Sequence, residues 1–307
     1  MSLALDGVLV VDKPEGITSH DVVAAVRRRL PRGTRVGHTG TLDPFATGVL
    51  PVVIGKATRL AQFLTASRKG YLADVAFGTA TDTGDGTGAV IETAPPDAVA
   101  VLEAAAIADA LATFAGTHPQ VPPMHSAKKV AGERAYVLAR RGMDVDLPAT
   151  EVTAHAIDLR AWDGTRKVAV VALETSAGFY VRSLARDLGR RLGVPAHLVA
   201  LRRTASGPFA IEDAHALRDV VQASADDIGQ WRLPMAHLLP ELPAVVLDER
   251  QLQAVLQGRP ISAPAPFGND AVAPGRRVRL LDAAGHLVAL ARPAADANQL
   301  HADIVLR

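Results

Sequence analysis

One loop of the sequence holds an acid in a setting that suits catalysis. Residues 36–48 contain three glycines and one proline, which restrict the path of the chain, and Asp43 stands immediately before Pro44. A carboxylate fixed beside an electron-poor carbon can stabilise positive charge on that carbon or attack it. The alternative is that Asp43 caps a turn, because an Asp-Pro pair is a common turn start. The loop alone leaves both interpretations open.

Common cofactor and metal motifs are incomplete in this sequence. A P-loop fails because Ala57 follows Gly55-Lys56 where serine or threonine is required. Residues 84–88 are glycine-rich but lack the glycine spacing of a dinucleotide-binding turn. His38 and Asp43 could be two metal ligands, but the sequence offers no convincing third. We therefore predict that the protein uses no nucleotide cofactor and no metal.

Five ordered segments carry a resemblance to a known family. The segments are residues 7–14; residues 38–48; residues 81–83 with Gly88; residues 122–129 with Gly132, Tyr136 and residues 139–140; and residues 176–182 with residues 201–203. In order and spacing they resemble the pseudouridine synthases, and most closely the TruB family, whose bacterial members make pseudouridine 55 in the T-arm of transfer RNA. The match covers about residues 7–215.

The resemblance implies an isomerase that moves uracil from an N1–C1′ bond to a C5–C1′ bond. No group is added and no electron is transferred, which agrees with the absence of cofactor motifs. The target base must be flipped out of its folded loop before a side chain can reach its sugar. Two alternatives are a guide-dependent pseudouridylase, against which the compact length argues, and a tRNA-binding folding chaperone without catalysis, which would not need the carboxylate.

The resemblance also assigns roles to individual residues. Asp43 matches the family's essential aspartate, which acts at C1′ or on a sugar proton. Arg182 matches its arginine partner, which would keep the aspartate ionised, and Tyr71 matches a tyrosine that stacks on the target uracil near C5. His38 matches a histidine that fills space vacated in the RNA, and Lys13 matches a structural lysine. Without the resemblance, Arg182 would be a surface helix arginine and Tyr71 a core aromatic.

Recognition of a folded RNA is expected to depend mainly on shape and backbone contacts. The candidate RNA-binding residues are Tyr180, Leu201, Arg202, Arg203, Lys128, Lys129, Arg140 and Arg141. Charge runs are more often solvated surface, so the basic pairs have that plainer alternative. Residues 116–150 resemble an insertion that clamps the RNA in this family. The predicted partner is the T-arm stem-loop of tRNA, with no protein partner and no membrane.

The elements that must position these residues follow from the spacing of apolar side chains. Residues 7–11 read as a buried strand, and a helix capped by Thr18 or Ser19 follows. Residues 152–159 and 168–174 alternate as paired strands. A further helix, after Tyr180, places leucines on one face and arginines on another.

These elements predict an α+β fold, with one large mixed or antiparallel sheet, flanking helices and Asp43 in a cleft across the sheet. Residues 1–240 are expected to form the catalytic domain, with the RNA-clamping insertion at about 116–150. Residues 239–243 contain two prolines and read as a linker. Residues 241–307 are expected to form a small β-rich, PUA-like RNA-binding module.

The composition is that of a folded protein. Hydrophobic residues make up 49% of 307 residues, enough for a sizeable core, which excludes disorder over most of the chain. Cysteine is absent, which excludes a disulfide scaffold, a thiolate zinc site and an iron–sulfur cluster. No run approaches the ~20 apolar residues of a membrane span, and the N-terminus lacks a signal-peptide pattern, so we expect a cytoplasmic protein. A net charge of +1 does not by itself indicate a nucleic-acid binder.

Overall fold

The computed structural model describes residues 5–126, 128–130, 133–134, 147–262, 277–293 and 299–306. The strands of these residues are β1 (Gly7–Lys13), β2 (Val36–His38), β3 (Thr47–Ile54), β4 (Lys69–Phe77), β5 (Thr79–Thr81), β6 (Val90–Thr93), β7 (Gly116–Gln120), β8 (Lys129–Val130), β9 (Glu133–Arg134), β10 (Thr150–Asp163), β11 (Val168–Thr175), β12 (Ala196–Ser206), β13 (Phe209–Ala210), β14 (His215–Ala216), β15 (Leu233–Pro234), β16 (Ala244–Val246), β17 (Ile261–Ser262), β18 (Val278–Leu281), β19 (Leu287–Pro293) and β20 (Gln299–Val305). The α-helices are α1 (Ser19–Arg28), α2 (Ala61–Thr65), α3 (Pro96–Ala100), α4 (Ala104–Ala112), α5 (Val181–Leu192), α6 (Leu217–Val220), α7 (Ala225–Trp231) and α8 (Glu249–Leu256).

A large mixed sheet forms the centre of the molecule. Its main path runs β14-β1-β3-β12-β4-β11-β10-β7, with β2, β13 and β15 paired at its sides. The pairs β1–β14 and β3–β12 are parallel and the other pairs of this sheet are antiparallel. A mixed sheet with helices packed on it confirms the predicted α+β fold class.

The strand at residues 7–13 is buried on both faces, which explains its unbroken apolar run. Successive side chains of a strand point to opposite faces, so Leu9 and Val11 join one core while Val8 and Val10 join another. The first core packs the sheet against α1, α4 and α5. We call this side of the sheet the helix face and the other side the rear face.

The C-terminal strands form a second sheet, in the order β16-β18-β19-β20-β17. This sheet has its own core, and it also packs on the rear face of the large sheet, where Leu287 and Leu290 lie with Val8 and Val10. The segment predicted as a linker, residues 239–243, begins with a buried residue, because Leu239 is 5% exposed and belongs to this shared core. The domain boundary at residue 240 stays a prediction.

Of the 35 residues of the predicted insertion at residues 116–150, 15 lie outside the described residues. The described part includes β7, which pairs with β10 at the edge of the large sheet, and the short pair β8–β9. In the part of the chain that the structure describes, no helix is long and apolar enough to cross a membrane.

Candidate active site

The loop that carries Asp43 lies between β2 and β3, and hydrogen bonds hold its backbone from several directions. The Lys13 ammonium donates to the Pro44 carbonyl at 3.1 Å, and also to the Pro14 and Ile17 carbonyls at 2.9 and 2.8 Å. The backbone N–H of Gly16 donates to the same Pro44 carbonyl at 2.8 Å. Lys13 is fully buried, and burial lowers the pKa of its ammonium to about 8. The end of β1 therefore fixes the residue that follows Asp43.

The start of α1 holds the other side of the loop. Thr18 caps the helix, since its hydroxyl accepts from the Asp21 N–H at 3.1 Å and Asp21 accepts in return from the Thr18 N–H at 2.9 Å. This leaves Ser19 free for the loop. Its hydroxyl accepts from the Leu42 N–H at 2.8 Å and donates to the Leu42 carbonyl at 3.1 Å. Sequence reasoning offered Ser19 only as an alternative cap and missed this contact beside Asp43.

Asp43 and Arg182 form an ion pair with two contacts. Arg182 Nε lies 3.0 Å from Asp43 Oδ2, and Arg182 Nη2 donates to Asp43 Oδ1 at 3.1 Å. The Arg182 side chain is only 5% exposed, whereas that of Asp43 is 35% exposed. This forked geometry fixes the direction of the carboxylate as well as its charge. One edge of the carboxylate is thus held by the protein while the group stays accessible to solvent.

Arg182 is itself held by contacts from two other segments. It is the second residue of α5, and its guanidinium donates to the carbonyls of Thr83 and His125, each at 2.9 Å. Asp85, which is 4% exposed, has its carboxylate 3.8 Å from Arg182 Nη1. The Asp85 carboxylate accepts in turn from the Thr87 N–H at 3.0 Å. Arg182 is therefore shared between two aspartates, and sequence reasoning did not single out Asp85.

Burial raises the pKa of the Asp43 carboxyl above its ordinary value, and the neighbouring Asp85 carboxylate raises it further. The Arg182 guanidinium opposes both effects and lowers that pKa. The arginine is therefore the group that favours the ionised form of Asp43 where burial disfavours it.

Tyr71 lies on β4, on the helix face, where it packs against the main core. It is the cross-strand neighbour of Leu173 on β11 and of Arg203 on β12. Burial lowers the pKa of the Arg203 guanidinium, and the Tyr71 side chain raises it. The structure thus brings Tyr71 into contact with a residue that also touches the Asp43 loop.

The structure buries Arg203, the second member of the predicted RNA-binding pair Arg202 and Arg203. Arg203 is 1% exposed, and its guanidinium donates to the Val49 carbonyl at 2.7 Å and to the Gly40 carbonyl at 3.0 Å. Adjacent residues of a strand point to opposite faces, and Arg203 faces the catalytic loop. Leu201, also a candidate contact, is 8% exposed and belongs to the main core.

Arg202 remains available at the surface. Its side chain is 41% exposed and its guanidinium forms a two-nitrogen ion pair with Asp12, at 2.8 and 3.1 Å. It lines a pocket of about 450 Å³ together with Thr47 and Arg218. Its role as an RNA contact stays a prediction.

The remaining candidates lie at the borders of the site. His38 ends β2, and burial and the nearby Arg203 lower the pKa of its imidazole. Tyr180 caps α5, and its backbone N–H donates to the Gln120 side chain at 2.8 Å. The Lys128 ammonium donates to the Thr150 hydroxyl at 2.7 Å. The side chain of Lys129, and all of Arg140 and Arg141, lie outside the described residues.

The arrangement can hold an ionised carboxylate in a fixed direction, and Arg203 links the loop of that carboxylate to the neighbourhood of an aromatic ring. This is the requirement for stabilising positive charge on a sugar carbon beneath a stacked base. Among the residues that the structure describes, no three histidine, aspartate or glutamate side chains come together as a metal-binding group.

Two protein-family models match the sequence in succession. Residues 27–181 match the model described as "TruB family pseudouridylate synthase (N terminal domain)". Residues 182–256 match the model described as "tRNA pseudouridylate synthase B C-terminal domain". The two matches meet between Val181 and Arg182, and together they span most of the chain.

Known proteins are similar over most of the chain. A protein of Solibacter usitatus named tRNA pseudouridine synthase B is 43% identical over 287 residues, covering 93% of this chain and 95% of the relative. One of the same name from Symbiobacterium thermophilum is 47% identical over 255 residues, covering 83% of this chain and 82% of the relative. A crystal structure of a Cbf5-Nop10-Gar1 complex holds a chain with a TM-score of 0.70 and 26% identity, covering 99% of this chain and 85% of that one.

Proposed function

Since the chain belongs to the TruB family of pseudouridylate synthases, we propose that it converts uridine 55 in the T-loop of transfer RNA into pseudouridine. The observation that carries the proposal is the forked ion pair between Asp43 and Arg182, at 3.0 and 3.1 Å. Asp43, one member of the pair, lies on the loop in which the sequence resembles the family's catalytic motif.

The reaction breaks the N1–C1′ bond of uridine and forms a C5–C1′ bond, while the proton on C5 is lost and N1 gains a proton. Positive charge develops at C1′ as the first bond breaks. A carboxylate beside C1′ can attack that carbon, or it can remove a sugar proton to give a glycal. Both routes need Asp43 ionised and correctly aimed.

Arg182 supplies both requirements in the proposed mechanism. Its charge opposes the effect of burial on Asp43, and its planar fork sets the orientation of the carboxylate. Tyr71 would stack on the flipped uracil from its place on β4. The side chains of β1, α1 and β12 that hold the loop backbone keep Asp43 in place while the base turns.

The proposed partner is the T-arm of tRNA, bound over the Asp43 loop. Arg202 and Lys128 are candidate contacts, because the Arg202 side chain is partly exposed and Lys128 lies within the predicted insertion. Residues 241–307 would form a second RNA-binding module. The proposal places the protein in the cytoplasm, where bacterial tRNA is processed.

The identity to relatives named tRNA pseudouridine synthase B, 43 and 47%, favours a tRNA substrate over guide-dependent pseudouridylation. A chaperone role without catalysis would leave the carboxylate of Asp43 and its buried arginine without a purpose.

The experiment is to incubate the purified protein with an unmodified tRNA transcript that has been folded beforehand. The reaction contains a chelator and no cofactor. Carbodiimide-stop sequencing then maps pseudouridine. We expect product at the T-loop uridine. Product at another uridine would assign a different site, product only with an added guide RNA would assign the guide-dependent reaction, and tRNA binding without product would favour the chaperone. Loss of turnover with chelator, restored only by a transition metal, would contradict the metal-free mechanism.

Replacement of Asp43 by asparagine should abolish turnover and leave tRNA affinity within about threefold. The amide keeps the shape of the side chain but can neither attack C1′ nor remove a proton. Single-turnover assays and filter binding with the same transcript measure the two effects. Multiple turnover by the variant, shown to be free of wild-type enzyme, would contradict the assignment of Asp43.

A further inference from the structure

Arg203 is a buried cation to which the proposed mechanism gives no role beyond holding the loop backbone. Its side chain is 1% exposed, and within the described part of the chain no carboxylate forms an ion pair with it. A charge buried in this way is costly unless hydrogen bonds replace its water. Its partners are instead backbone carbonyls, with Nε donating to Val49 at 2.7 Å and Nη2 donating to Gly40 at 3.0 Å.

These carbonyls belong to the Asp43 loop and to the strand that follows it. Gly40 adopts a φ of +107°, and a Cβ built on it would lie 3.5 Å from Arg203 Nη1 and 3.6 Å from the Cε of Lys69. The loop therefore lies directly on the guanidinium three residues before Asp43. An arginine fork can bind two carbonyls at once, whereas an ammonium acts as a point charge.

The same guanidinium contacts Tyr71. Arg203 and Tyr71 are directly opposite in the antiparallel pair of β12 and β4, so their side chains leave the same face of the sheet next to each other. Burial lowers the pKa of the Arg203 guanidinium, and the neighbouring Tyr71 side chain opposes that shift. One buried group therefore touches both the loop of the catalytic aspartate and the proposed base-stacking tyrosine.

We propose that Arg203 is a positioning residue that sets the Tyr71 ring relative to the Asp43 loop. The inference rests on the proposed function, because it concerns the uracil that lies between the ring and the carboxylate. Arg203 contacts no substrate in this scheme and acts only through Tyr71 and the loop backbone.

The test compares Arg203→Lys with a matched control, Arg279→Lys. Arg279 is a partly buried arginine of the C-terminal sheet that donates to the carbonyls of Leu242 and Ala236, at 3.0 and 2.9 Å. Both variants keep the charge and lose the fork. We expect Arg203→Lys to slow the single-turnover rate by about 10- to 100-fold, the range for a small misplacement of reacting groups. Affinity for tRNA should stay within threefold. Arg279→Lys should leave the single-turnover rate at saturating protein unchanged, because Arg279 donates to carbonyls of residues 236 and 242 and not to the active site.

A second readout detects the contact without activity. The chain has three tyrosines, so protein labelled with 3-fluorotyrosine gives three fluorine resonances, and Tyr71→Phe assigns one of them. Arg203→Lys should shift the Tyr71 resonance and leave the other two in place. Arg279→Lys should shift none of the three.

An unmoved Tyr71 resonance, or an unchanged single-turnover rate in Arg203→Lys, would overturn the inference. Wild-type protein that makes no pseudouridine would instead contradict the proposed function, and the resonance shift would still report on the contact. If Arg203→Lys does not fold, Tyr71→Phe tests the contact from the other side. Loss of the hydroxyl should raise the unfolding equilibrium constant about tenfold, because a buried charged donor loses its partner; no change would overturn the inference.

Discussion

At the scale of single residues, the direction of the Asp43 carboxylate depends on the shape of Arg182 as much as on its charge. Arg182 donates four contacts within 3.1 Å, two to Asp43 and one each to the carbonyls of Thr83 and His125. A lysine would supply one positive charge on a flexible stem and could not bridge these groups. The two aspartates beside Arg182 would then lose a common fixed partner.

Arg182→Lys should therefore slow the chemical step far more than it weakens tRNA binding. A misplacement of about 1 Å can cost ~100-fold in rate, so we expect a loss of that order in single-turnover assays, with affinity within a few-fold. The opposite pattern, weaker binding with a salt dependence smaller by about one unit and an unchanged rate, would identify Arg182 as a phosphate contact.

Lys69 makes stability depend on pH. Its side chain is buried, its ammonium donates to the Ser67 hydroxyl at 2.8 Å, and burial, followed by the nearby Arg203, lowers its pKa from 10.5 to about 8. Below pH 8 both the folded and the unfolded chain carry this proton, so the contribution is constant. Between about pH 8 and 10.5 the unfolded chain binds more protons than the folded chain, so the free energy of unfolding rises with pH.

Comparison of wild type with Lys69→Met isolates this effect, because every other titrating group, including Lys13, is present in both proteins. Between pH 7.5 and pH 10, wild type should gain ~1–3 kcal/mol of unfolding free energy relative to the variant, from ~1.4 kcal/mol per pKa unit. Urea denaturation at both pH values measures the difference. A difference that does not change with pH would contradict the assignment.

At the scale of elements, the sequence predicted the strands that have one regular pattern and missed β12. The apolar run of β1 and the alternation of β10 and β11 are visible in the residues. By contrast, β12 contains two register irregularities, between Leu198 and Ala200 and between Arg203 and Ala205. Each irregularity shifts which side chains face the core, so the strand does not alternate in sequence. From the sequence alone, its adjacent arginines, Arg202 and Arg203, are therefore interpreted as one charged surface.

The candidate site was predicted where a local motif carries it and missed where distant segments meet. Asp43 stands in a glycine-rich loop that a reader of the sequence can single out. Asp85 is visible only as part of a polar turn, and its link to Arg182 crosses 97 residues of chain. The contacts of Ser19 with Leu42 depend on how α1 approaches the loop, which helix periodicity does not specify.

The junction of β3 and β12 is another contact that depends on folding. Gly48 adopts a φ of +103°, and a Cβ built on it would lie 2.2 Å from the Arg203 carbonyl oxygen. Gly48→Ala should therefore displace β12 from β3 and reduce both stability and turnover, with a loss of at least ~1–3 kcal/mol from backbone strain alone. Gly33→Ala is the control, because Gly33 has a φ of +84° with nothing within 4 Å of the added carbon.

Chemical denaturation of the two glycine variants separates two effects. Both variants carry the strain of a positive φ, and only Gly48→Ala adds a collision of its methyl group with the Arg203 backbone. Gly33→Ala should show the strain cost only and keep its single-turnover rate. Equal losses of stability in the two variants, with full activity in both, would mean that the β3–β12 junction accommodates the methyl group.

At the scale of the whole molecule, the C-terminal sheet and the large sheet share one core. Leu290 and Ile304 lie with Val8 and Val53 on the rear face of the large sheet. Arg277 of the C-terminal region lies 4.6 Å from the centre of the Phe63 ring, and Arg279 donates to carbonyls at residues 236 and 242. Two units joined through buried apolar side chains lose their common core together when either unfolds.

The shared core predicts that the catalytic part and the C-terminal sheet unfold in one cooperative transition. Leu290 is fully buried, so Leu290→Ala should lower the free energy of unfolding by ~2–5 kcal/mol, the cost of a cavity in a packed core. Val246→Ala is the control, because Val246 is 64% exposed and its loss should change stability by about 0.5 kcal/mol or less. Calorimetry of the full chain should give a single transition that Leu290→Ala moves as a whole. Two separate transitions, with only the smaller one moved by Leu290→Ala, would mean that the C-terminal sheet folds independently and that the shared core does not couple it to the catalytic loop.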